Sequence, residues 1–138
     1  MKKIKLCITL VLTCVLFAAT SSFAAARASA QIDYYSINAK AIGDGEIAIM
    51  FTVTAPRFME ELGAESIYVY ERATLGWDLV EIMDKDDSGM TAHDAMRHGT
   101  TVYFNGESGK EYRIVVTIFA EDKDGESDSR SKTFSITA

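Results

Sequence analysis

From Gln31 to the end of the chain, β-branched and aromatic residues alternate with polar ones in short runs, and helical spacing is nearly absent. A period of two is what a strand with one buried face requires, so the pattern restricts the chain to sheet architectures. The clearest run covers residues 46–54, where Ile47, Ile49, Phe51 and Val53 point one way and Ala48, Met50 and Thr52 the other. Further runs cover 34–39, 66–72, 76–82, 100–104, 112–120 and 133–137, with Val80 and Ile82 expected together on one face of the 76–82 run. Turn signals separate several of them, among them Gly43-Asp44-Gly45, Asn105-Gly106 and Asp124-Gly125. Seven short strands in about a hundred residues predict an all-β, seven-stranded antiparallel sandwich, with two sheets packed on one core.

Two segments depart from the alternation. In residues 56–63, PRFMEELG, the spacing of Phe58, Met59 and Leu62 predicts one helical turn, stopped by Gly63. Its apolar side chains would plug the open end of the sandwich or, if exposed, form a contact patch. Residues 84–99 carry few apolar positions and read as a long connection of about 16 residues, a length that often carries function.

Ahead of the sandwich stand MKKIK, an apolar stretch over 6–19, and small residues ending in Ala28-Ser29-Ala30. This is the layout of a cleaved export signal, residues 1–30, with the mature domain at 31–138. Ala24 and Ala26 offer alternative cleavage points, and the apolar stretch is too short to predict a membrane span. Cys7 and Cys14 both fall inside it, so the domain would be free of disulfides; Thr13 and the apolar residues beyond Cys14 disfavour a lipid anchor there. Removing the signal takes four of the 14 basic residues (Lys2, Lys3, Lys5 and Arg27), leaving ten against 20 carboxylates and a charge of −10. Such a surface disfavours sequence-independent binding to nucleic acid or anionic lipid and permits divalent cations or a basic partner.

The C-terminal third carries a family resemblance. Residues 109–137, GKEYRIVVTIFAEDKDGESDSRSKTFSIT, combine a Gly-x-x-Tyr opening, an alternating apolar strand ending in Ala, and a D-x-x-G-x-S hairpin before a closing strand. The segment resembles the last two strands of a fibronectin type III domain, an immunoglobulin-like sandwich, and IYVYER within residues 66–72 is similar to its third strand. Phe51 stands where that family usually carries a Trp. The chain also resembles short exported single-domain proteins of clostridial type, from which no activity carries over. The resemblance implies that Tyr112 is a corner tyrosine, its hydroxyl bonded to the backbone just upstream.

Several motifs bear on chemistry. Asp84, Asp86, Ser88 and Gly89 occupy the first, third, fifth and sixth positions of a calcium loop, but the twelfth, which needs a bidentate carboxylate, is Ala95. What remains is a weak surface calcium site built from Asp84, Asp86 and Asp87, and no other cofactor is expected. His93 and His98, with Thr91, Asp94 and Arg97, form no pattern specific to metal binding or nucleophilic catalysis. Exposed aromatics offer more. Tyr68 and Tyr70 lie opposite the inward Ile67 and Val69 and should face outward, with Trp77 and Tyr34 as further candidates.

The sequence therefore points to a secreted or cell-surface, non-enzymatic binding or adhesion module for an extracellular protein or glycan. The expected contacts are Tyr68, Tyr70, Phe58 and Met59, with the 84–99 connection. A secreted protease inhibitor using loops at one end, and a small hydrolase, are the competing readings.

Overall fold

The computed structural model describes residues 30–138. Residues 1–29 of the expected export signal, Cys7 and Cys14 among them, lie outside the described residues. Six strands follow in order: β1 Tyr34–Gly43, β2 Glu46–Arg72, β3 Trp77–Asp84, β4 Thr91–Asn105, β5 Glu111–Glu121 and β6 Ser127–Thr137, with no helix among the described residues. Every pairing is antiparallel.

The organising element is β2, 27 residues long. Its first part, residues 46–54, lies between β1 and the 97–105 part of β4. Its second part, residues 59–72, pairs on one side with β5, which carries β6, and on the other with the start of β4 and then β3. One strand thus contributes to a three-stranded layer, β1–β2–β4, and to a four-stranded layer, β3–β2–β5–β6. The two layers share one core. Ile47, Ile49 and Val53 from the first meet Ile67, Val69, Ile114, Val116 and Ile118 from the second, all without solvent exposure. Phe51 is buried among them, and Phe104 of one layer meets Tyr112 of the other edge-on, with ring centroids 5.0 Å apart. At the opposite side Lys132 Nζ donates to the carbonyl of Ile37, 3.3 Å away, bridging β6 to β1.

The expected strand count changes from seven to six because the runs at 46–54 and 66–72 are one strand, with extended backbone where a helical turn was expected. Between Thr54 and Met59 the pairing with β4 shifts, and Pro56 sits in that gap, where no ladder hydrogen bond is required of it. Beyond the gap β4 and β5 flank residues 61–63, so sheet pairing on both sides satisfies backbone groups that a helical turn would have satisfied locally. Gly63 does not stop a helix. It sits at φ +148°, and a Cβ there would lie 2.2 Å from the carbonyl oxygen of Met90, which accepts from the N–H of Ala64 at 2.9 Å. The glycine is what lets the β3–β4 connection cross β2 so closely.

The long connection expected over residues 84–99 shortens to a turn ahead of β4. Residues 91–95 pair with residues 59–63 of β2, so polar side chains there project from a strand. Strand β3 also differs from the expected alternation. Its register shifts opposite Val69 and Tyr70, leaving Val80 unpaired as a bulge. The expected alternation of Val80 with Ile82 is broken there, and both are exposed, 43% and 51%.

Candidate functional site

The outer face of the four-stranded layer follows from the strand register. Tyr68 stands opposite Ile82 of β3 on one side and Val115 of β5 on the other, and Val115 stands opposite Thr133 of β6. Tyr70 is likewise opposite Leu79 and Arg113, and Arg113 is opposite Ser135. Arg72 pairs with Trp77 at the end of the strand. Residues directly opposite across antiparallel strands share a face, so these side chains form two adjoining rows. The intervening residues Ile67, Val69, Ile114 and Val116 are buried in the core.

The bulge at Val80 assembles the surface. It brings Leu79 and Ile82 onto the same outer face, beside Tyr70 and Tyr68. Leu79 and Ile82 stay about half exposed, at 47% and 51%, while Tyr68, Tyr70, Trp77 and Val115 are half-buried. Two guanidiniums lie over the Trp77 ring, Arg113 at 4.4 Å and Arg72 at 5.0 Å from its centroid. Neither arginine forms an ion pair among the described residues. Stacking on the indole keeps both cations at the surface and pre-oriented. Sequence alternation identified Tyr68 and Tyr70. Leu79 and Ile82 were hidden by the one-residue bulge, and Arg72 and Arg113 by cation–π contacts that depend on strand pairing.

The other candidates are placed elsewhere. Met59 is fully buried in the core and presents no contact surface, whereas its neighbour Phe58 is 62% exposed. Met59 faces inward because β2 resumes its pairing with β4 there. Tyr34 is exposed on β1, in the other layer.

The Asp84 and Asp87 carboxylates are engaged in the turn. Asp84 Oδ1 accepts from the Asp86 N–H at 2.9 Å, and Asp87 Oδ2 from the Asp84 N–H at 2.8 Å. Such bonds close a tight turn. Among the described residues no group of three or more His, Asp or Glu side chains is placed to hold a metal ion.

The polar residues at the start of β4 are each engaged, and two of them meet one carboxylate: His93 Nε2 lies 3.7 Å from the Glu61 Oε1 to which Thr91 is bonded. Thr91 Oγ1 donates to Glu61 Oε1 at 2.9 Å, and Asp94 pairs with Lys123 at 2.9 Å. His93 Nδ1 lies 3.2 Å from the carbonyl of Glu60, and His98 Nε2 lies 2.7 Å from that of Gly89. Glu61 is buried and also receives Lys85 Nζ at 3.3 Å, a bond that raises the Lys85 pKa. These groups hold β4 and the turn against β2.

Tyr112, 1% exposed, closes the other end of the four-stranded layer. Its hydroxyl accepts from the Glu107 N–H at 2.8 Å and donates to Glu71 Oε2 at 3.0 Å. Lys110 pairs with the carboxylates of both Glu71 and Glu107, and its hydrogen bond, followed by that of Tyr112, holds the Glu71 carboxyl below its ordinary range.

No known protein family matches the chain, and no curated protein does. Among solved structures, the sporulation control protein Spo0M from Bacillus subtilis is similar at 12% identity and a TM-score of 0.45, over 81% of this chain. The chain spans about half, 51%, of that structure. Murine CRIg is similar at 12% identity and a TM-score of 0.38, over 75% of this chain and 97% of that one.

Proposed function

We propose that the chain is a secreted, non-enzymatic binding module that engages an extracellular protein through the outer face of its four-stranded layer. The observation that carries this reading is the combined surface of Ile82, Tyr68, Val115, Leu79, Tyr70 and Trp77, with Arg72 and Arg113 stacked on the indole. A soluble domain normally keeps a contiguous apolar face covered, and Tyr, Trp and Arg are the residues enriched at protein interfaces. Apolar neighbours around the tyrosines suit a protein better than a glycan, whose hydroxyls need polar partners. The fitting partner presents apolar surface fringed by carboxylates that reach the two arginines.

The architecture is read as fibronectin type III-like. The Tyr112 hydroxyl bonded to the upstream Glu107 N–H, and the β5–β6 hairpin over the resembling segment, support that reading.

The test is binding of the exported domain to panels of immobilised matrix proteins and of cell-wall and host glycans, with calcium and with chelator. The same panels are run with a Tyr68→Ala/Tyr70→Ala variant. Binding to a protein that the variant loses, while its melting temperature is retained, is the expected result. Binding confined to glycans, or unchanged in the variant, refutes the assignment.

A further inference from the structure

The sequence motif for export processing and the first residue seated in the fold meet at one peptide bond. Ala28-Ser29-Ala30 places a cut after Ala30. Gln31, the next residue, is only 5% exposed, Ile32 is already part of the core, and the Asp33 N–H donates to the Thr54 carbonyl at 2.9 Å. Ala30, in contrast, is exposed. A cut one residue later would remove a buried side chain, and a cut at an earlier small residue would leave a tail outside the seat.

The seat itself is acidic. The Gln31 backbone N–H donates to Asp128 Oδ2 at 3.2 Å, and its side-chain Nε2 donates to Asp122 Oδ2 at 3.3 Å. Asp122 is fixed in turn by Arg57 at 3.0 Å and, through Oδ1, by the N–H groups of Asp124 and Glu126, both at 3.0 Å. Arg57 also donates to the Ala30 carbonyl at 3.4 Å, a contact that cleavage releases while the Asp122 pairing remains. A peptide nitrogen offers this site one neutral donor. A free amino terminus offers three donors and a positive charge, and charge-assisted hydrogen bonds are the stronger kind.

We propose that export processing cuts between Ala30 and Gln31, and that the new α-ammonium of Gln31 seats on Asp128 beside Asp122, closing that end of the sandwich. The inference rests on the export signal and is independent of the binding face. It also assigns a protected modification site. An amino-terminal glutamine ordinarily cyclises: its α-nitrogen attacks the side-chain Cδ, the Cδ–Nε2 bond breaks, and ammonia leaves with the proton from the α-nitrogen. In the fold those two nitrogens are held by different carboxylates, which opposes ring closure.

The test is export of the full chain from a bacterial host, followed by intact mass and amino-terminal sequencing. The expected product begins at Gln31 and retains its ammonia. A product beginning at residue 25 or 27, or a pyroglutamate in the freshly folded protein, overturns the proposal. The same product held unfolded in urea should cyclise about tenfold faster or more, since protection follows the population of the unseated end. Asp128→Asn, exported in the same way, should cyclise faster than wild type while folded. Equal rates in folded and unfolded protein, or in the two folded proteins, also overturn it.

Discussion

Replacing Tyr112 by Phe removes one oxygen from a buried position and leaves the ring contact with Phe104 in place. The lost oxygen accepts from the Glu107 N–H and donates to the Glu71 carboxylate. A neutral hydrogen bond contributes about 1 kcal/mol and one to a charged group about 1.5–3 kcal/mol. Glu71 keeps Lys110 as a partner, so the lower end of the second range applies and the total is about 2–3 kcal/mol. For a domain of this size that corresponds to a fall in melting temperature of about 10 °C, read by circular dichroism or calorimetry at neutral pH. Alkaline titration adds a second signature. Burial pushes the Tyr112 phenol above its ordinary value of 10.0; the Glu107 N–H opposes the shift and the Glu71 carboxylate reinforces it. A raised folded-state pKa means the contribution is fully present below the unfolded value and is lost as pH rises through the folded one. The gap between wild type and Tyr112→Phe should therefore narrow above about pH 10. A neutral-pH change under ~2 °C would falsify the reasoning, because the hydroxyl would then be carrying neither bond.

Three other perturbations separate neighbouring residues. Gly63→Ala places a methyl group 2.2 Å from the Met90 carbonyl oxygen and should cost about 3 kcal/mol or more, whereas Gly89→Ala meets nothing within 4 Å and should cost about 1 kcal/mol. Paired urea melts check this, and equal shifts would count against the close crossing. Met59→Ala should cost about 2–5 kcal/mol by opening a cavity, while Phe58→Ala should stay within about 0.5 kcal/mol. Reversal of that order would contradict the extended course of β2. Burial pushes the Asp122 pKa up, but bonds from Gln31, Glu126, Arg57 and Asp124 together hold it below its ordinary 3.8. Its contribution is present above that value and lost as pH falls through the lowered one, so Asp122→Asn should melt lower at neutral pH and lose less on acidification. An acid limb unchanged by the substitution would show that other carboxylates govern it.

The all-β class was legible because alternation such as Ile47, Ile49, Phe51 and Val53 reports the face a strand buries, and these four residues are in the core. The joining of two runs into one strand was not. Around Pro56 the local pattern admits a helical turn, and the decision falls to β4 and β5, which pair with that backbone from far along the chain. The start of β4 read as a loop because Thr91, His93 and Asp94 are polar, yet their partners are Glu61, Glu60 and Lys123. At the candidate binding face, Tyr68 and Tyr70 were visible from their own strand. Leu79 and Ile82 were not, since a single unpaired residue reverses which side chains face outward.

The unbroken course of β2 has a mechanical consequence. A chain without a disulfide among its described residues has no covalent bolt between its two layers, and layers joined only by loops can open one at a time. Here the same backbone is hydrogen-bonded into both, with β4 bridging the bend on one side. Neither layer can leave the other without unpairing its own share of that strand, so loss of either layer is coupled to β2. Amide hydrogen exchange along residues 46–72 should accordingly be slow on both sides of the bend and should collapse together, as a single cooperative unit.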